Sequence, residues 1–91
     1  MQEAITQSPT NPKFLYNLGL LYGREGQLEP ALALIGKAIE LKANYKEARL
    51  AYALLLIDKK EISKAKAELE YILTNIDPND TITKQTLEEI K

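Results

Sequence analysis

The chain repeats itself, in phase, at a spacing of 34 residues: Leu18 is matched by Tyr52, Gly19 by Ala53, Leu28 by Ile62, Ala31 by Ala65, Ile35 by Leu69 and Ile39 by Leu73. Small residues recur as small ones and large apolar residues as large ones. Two equivalent helical hairpins stacked side by side generate such a register, because each hairpin meets its neighbour through the same surface. A pattern of this kind constrains the fold more than any single residue, and it points to a binding scaffold.

Helical segments with short connections fill the sequence, and no strand pattern competes with them. A short one, about Gln2 to Gln7, ends at Ser8-Pro9. The next opens at Asn11-Pro12, an N-cap residue followed by proline at the first helical position. It carries Phe14, Leu15, Leu18, Leu21 and Tyr22 at helical spacing and stops at Gly26. A third covers about Leu28 to Leu41, with Pro30 tolerated in its first turn. Asn44, with Glu47 three residues on, reads as a capping box for a helix ending near Asp58. Another spans about Ile62 to Ile76, closed by Asp77-Pro78, and a last one about Asp80 to Lys91 carries Ile82, Leu87 and Ile90.

Leu15, Leu18-Gly19 and Tyr22, followed by Ala31, Ile35 and Ala38, closely resemble the tetratricopeptide repeat, a family of 34-residue helix–turn–helix units. Residues 12–45 match nearly throughout, including Asn17 to Gly19 and Ala38 to Leu41. Residues 46–79 match more loosely: Ala53 replaces glycine, Leu56 the aromatic residue and Ile72 a small one. Pro78 falls one residue later than the pattern, which implies an extra residue near the end of that helix. The resemblance implies an all-α fold, a right-handed superhelical stack of antiparallel helix hairpins (an α-solenoid). Residues 12–45 and 46–79 would be its two repeats. Residues 80–91 would be a capping helix or the start of a third repeat. Upstream, Ala4 is in register with Ala38 and Pro9 with Ala43, so residues 1–11 read as the tail of a preceding repeat or an N-terminal cap. The chain is accordingly expected to be a piece of a longer repeat protein.

The pattern also has a physical reading of its own. Gly19 and Ala53, with Ala31 and Ala65 opposite, fit where the helices of a hairpin cross most closely, and Tyr22 and Leu56 fill the space between hairpins. In the architecture the resemblance implies, the first helices line a concave groove. Its candidate residues are Lys13, Tyr16, Asn17, Leu20 and Arg24, then Glu47, Leu50, Leu54, Ile57 and Asp58. Family members that clamp a carboxylate use groove lysines and asparagines; here Tyr16 and Leu20, or Leu50 and Leu54, take those places, so that function is not expected. The groove is instead apolar, and Leu50, Leu54 and Ile57 require a cover: a partner helix, a peptide, the last helix of the chain or a second copy. Pro30, Ala33 and Gly36 share one smooth face of another helix, readable as a second contact surface or as neutral drift.

Composition limits the chemistry. The 91 residues hold neither cysteine nor histidine, which removes disulfides, zinc-finger sites, thiol nucleophiles and histidine bases. No cofactor or metal site is expected. The net charge of −1 disfavours nucleic acid as a partner. Lys59, Lys60, Lys64 and Lys66 alternate with Asp58, Glu61 and Glu68 and read as a solvated helix face. No stretch reaches the roughly 20 apolar residues of a membrane span, and Met1 to Pro9 lacks the layout of a signal peptide. The chain reads as soluble, with a cytoplasmic location as the default. The carboxylates are dispersed and no glycine-rich phosphate loop follows a strand, so catalysis is not expected. Two functions remain: a non-catalytic scaffold that binds a partner helix or peptide in the apolar groove, or a self-association module that stacks end to end or groove to groove.

Overall fold

The computed structural model describes residues 11–90, so the expected helix at Gln2 to Gln7 and the terminal Lys91 lie outside the described residues. The described elements are all helical: α1 (Pro12–Arg24), α2 (Leu28–Leu41), α3 (Lys46–Asp58), α4 (Ile62–Tyr71), a π-helical turn (Ile72–Ile76) and α5 (Thr81–Ile90). Helices α1 and α2 form one hairpin and α3 and α4 a second, while α2 packs against α3 to join them.

The two hairpins repeat each other down to single hydrogen bonds. After α1, Gly26 N donates to Gly23 O at 3.0 Å and Gln27 N to Tyr22 O at 3.0 Å. Thirty-four residues later, Lys60 N donates to Ile57 O at 2.9 Å and Glu61 N to Leu56 O at 2.8 Å. Both turns close the preceding helix with a left-handed residue, Gly26 at φ 81° and Lys60 at φ 69°. Only glycine adopts that region without a Cβ penalty, so Lys60 holds it under strain.

Close crossings are made as the small residues require. A Cβ added to Gly19 would lie 2.5 Å from Ile35 Cγ1 and 3.2 Å from Ala31 O, closer than packed atoms come. Ala31, Ala53 and Ala65 are fully buried. One core joins Leu15, Ala31, Leu32, Ile35 and Ala38 to Ala48, Ala53, Leu55, Leu56, Ala65 and Leu69.

Helix starts differ in how they are capped. Asn11 Oδ1 accepts from the backbone N–H groups of Lys13 at 3.0 Å and Phe14 at 3.3 Å, an N-cap with Pro12 behind it. The expected box at Asn44 does not form. Helix α3 starts one residue later than that reading requires, with Tyr45 at the cap position and no side-chain bond. Tyr45 is instead held by its ring, 5.2 Å from that of Tyr16. The role of anchoring this turn falls to Arg49, whose Nε donates to Ala43 O at 2.8 Å. Its guanidinium stacks 3.6 Å from the Tyr71 ring centroid and bonds Glu68 at 2.8 Å.

The extra residue before Pro78 appears as a local change of helix type. Asp77 N donates to Ile72 O at 2.8 Å, a span of five residues rather than four, so one residue is absorbed as a π-turn. Beyond it, Lys46 Nζ bonds Asp77 at 3.1 Å and Asp80 at 3.2 Å. Asp80 caps α5, accepting from Thr83 N at 3.1 Å and from the Thr83 hydroxyl. These bonds hold the Asp80 carboxyl below its ordinary range, Thr83 being the largest cause and Lys46 a further one. Helix α5 then packs on α4 and the π-turn, with Leu87 and Ile90 against the core.

Candidate functional site

Helices α1 and α3 are the first helices of their hairpins. The chain reverses twice between them, so they run side by side in the same direction and touch. Leucines at equivalent positions, Leu20 and Leu54, project between them, and the residues one turn away are small: Gly23 on α1 and Ala51 on α3. The space those small residues leave is an open hollow of about 220 Å³, lined by Leu20, Gly23, Arg24, Ala51, Leu54 and Leu55. Gly23 cannot be enlarged freely, since its Cβ would stand 3.0 Å from Leu55 Cδ2. Leu54 is 46% exposed at the rim. Leu50 and Ile57, which the sequence places in the same groove, are half-buried and pack against the core.

The groove ends carry charge. Lys13 and Glu47 occupy equivalent positions in the first turns of α1 and α3, and Arg24 and Asp58 occupy equivalent positions in their last turns. All four are exposed, and none has an ion-pair partner among the described residues. At the end near Lys13, the Tyr16 and Tyr45 rings pack at 50°, and Lys42 Nζ sits 4.8 Å from the Tyr45 centroid. Burial, with Glu47 adding to it, pushes the Tyr16 hydroxyl above its ordinary range; burial, then Tyr16 and Glu47, does the same to Tyr45. Both hydroxyls therefore stay protonated and serve as neutral hydrogen-bonding groups. Asn17 is exposed between these ends.

Of the sequence-predicted residues, the structure gathers Leu20, Arg24 and Leu54 around one hollow and leaves Lys13, Asn17, Glu47 and Asp58 exposed and outside its lining. Gly23, Ala51 and Tyr45 were not among them. Gly23 and Ala51 had a legible signal, a small residue one turn from a groove leucine on each wall; Tyr45, in a turn, had none. The second face is divided. Ala33 is exposed and Pro30 half-buried, whereas a Cβ on Gly36 would meet the Tyr52 ring at 3.5 Å, so Gly36 lies over α3. In the lysine run Lys59 pairs with Glu29 and Glu61 and Lys64 with Glu61 at 2.9 Å, while Lys60 is exposed and Lys66 half-buried. Among the described residues no cluster of carboxylates could hold a metal ion, and no helix is long and apolar enough to cross a membrane.

Residues 1–33 match the family model described as tetratricopeptide repeat. With the 34-residue phase and the paired hairpins, the chain is similar to the tetratricopeptide-repeat family, whose general role is protein–protein interaction. No curated protein matches it.

Proposed function

We propose that the chain is a non-catalytic docking module that receives a helix or extended segment of a partner protein in the groove between α1 and α3. The hollow between Leu20 and Leu54 supports this reading. It is open and apolar, with an arginine at its edge and a leucine left nearly half in water. Covering the exposed part of that side chain contributes about 1 kcal/mol, roughly half of the value for burying a whole leucine, enough to make it an anchor point. An aliphatic side chain of the partner fills the hollow, and polar groups of the same segment reach Arg24, Asn17 or the tyrosine hydroxyls at the margins.

Selection of peptides from a displayed library on the purified chain tests this. The expected peptides carry an aliphatic anchor and lose binding at least about tenfold on Leu54→Glu, which buries a charge in the contact. Ala33→Glu, outside the groove, leaves binding unchanged. Peptides indifferent to Leu54→Glu in a folded chain would refute the groove as the docking surface.

A further inference from the structure

The four charges at the groove margins have a pattern that a helix by itself does not favour. An α-helix prefers an acid in its first turn and a base in its last. Glu47 and Arg24 obey that preference, whereas Lys13 and Asp58 oppose it. Neither Lys13 nor Asp58 is compensated by an ion pair among the described residues. The result is that equivalent positions of α1 and α3 carry opposite signs at both ends, while the position at the hollow between them is leucine on both helices, Leu20 and Leu54.

That arrangement is self-complementary. A two-fold axis lying between α1 and α3 and parallel to them sets α1 of one copy opposite α3 of the other, at the same level and in the same direction. Lys13 then faces Glu47, Leu20 faces Leu54 and Arg24 faces Asp58, and each pairing occurs twice. We propose that a second copy of this chain occupies the groove in this two-fold manner. The inference rests on the groove being a docking surface and names one occupant of it. In the dimer each exposed Leu54 lies over the wall that Leu20 and Gly23 form in the other copy, and the charged pairs close both ends of the apolar contact. Had the signs at equivalent positions been equal, the same axis would have set like charges against each other, which strongly disfavours association. A partner segment and a second copy compete for one surface, so the dimer is also a gate on partner binding.

Charge reversal tests the pairing. Mass is measured by light scattering after size exclusion, from low to high micromolar concentration, with helicity checked by circular dichroism. The unmodified chain should move from 10.2 kDa toward twice that mass. Arg24→Glu alone and Asp58→Arg alone should each weaken the dimer about tenfold or more, since each sets two like-charge pairs across the axis. The double variant, with both signs reversed, should recover the original dimerisation. A chain that stays monomeric throughout overturns the proposal. So does a dimer that the single reversals leave intact, or one that the double reversal fails to restore. Leu54→Glu separates the two readings. A dimer lost on Leu54→Glu but not restored by the double reversal would keep the groove as a contact surface while overturning this pairing.

Discussion

Gly19 and Lys60 show how single positions answer to the repeat. At Gly19 the helices approach until a methyl group would sit 2.5 Å from Ile35 Cγ1. The second hairpin places Ala53 there, opposite Leu69, which has one γ carbon where Ile35 has two. Gly19→Ala should therefore cost about 1–3 kcal/mol through displacement of Ile35, despite the better helix propensity of alanine. Urea denaturation followed by circular dichroism measures it, and an unchanged midpoint would mean the crossing is looser than described. Lys60 is the converse case. It holds the left-handed conformation that Gly26 holds in the first hairpin, at φ 69°. Lys60→Gly should stabilise the chain by about 1 kcal/mol, seen in the same denaturation experiment. The close approach at Gly19 was legible because the two hairpins share it. The strain at Lys60 was not, because the turn's backbone bonds impose it and lysine carries no signal for it.

Among the elements, α5 depends most on electrostatics. Its cap, Asp80, is bound by Thr83 and by Lys46, which lies 34 residues earlier and opens α3. Because the folded Asp80 carboxyl lies below its ordinary range, its contribution is present above the unfolded value near pH 3.9 and is lost as pH falls through the lower folded value. Thermal melts should show the α5 contribution falling off below about pH 4, and Asp80→Asn should remove that acid dependence. A melt of the variant with the same acid dependence would assign the effect to other carboxylates. The same region shows what periodicity conveys and what it omits. The late Pro78 signalled one extra residue, but not that the backbone would absorb it as a π-turn at Ile72–Ile76. Likewise Asn44 and Glu47 satisfied the capping rule by spacing, yet Arg49 bonding Ala43 O and ring packing between Tyr45 and Tyr16 set the start of α3. Long-range contacts decided both outcomes, and a local pattern does not encode them.

For the whole molecule, the alternation of small and large residues at 34-residue spacing was enough to specify stacked hairpins, since each repeat buries its apolar face only against the next. The groove followed from that geometry, and Leu20, Arg24 and Leu54 converge where it places them. Depth was harder to read. Leu50 and Ile57 turned half inward against the core, while two small residues, Gly23 and Ala51, opened the hollow. The surface that results joins one apolar recess to four charges unpaired within the described chain, and this combination carries the case for docking.

The most direct test is an amide chemical-shift map of the chain as a library-selected peptide with an aliphatic anchor is added. Shifts should concentrate at Leu20, Gly23, Arg24, Ala51 and Leu54 and fade toward α2 and α4. Shifts centred on the Pro30 and Ala33 face or on α5, with the α1–α3 groove silent, would contradict docking in the groove.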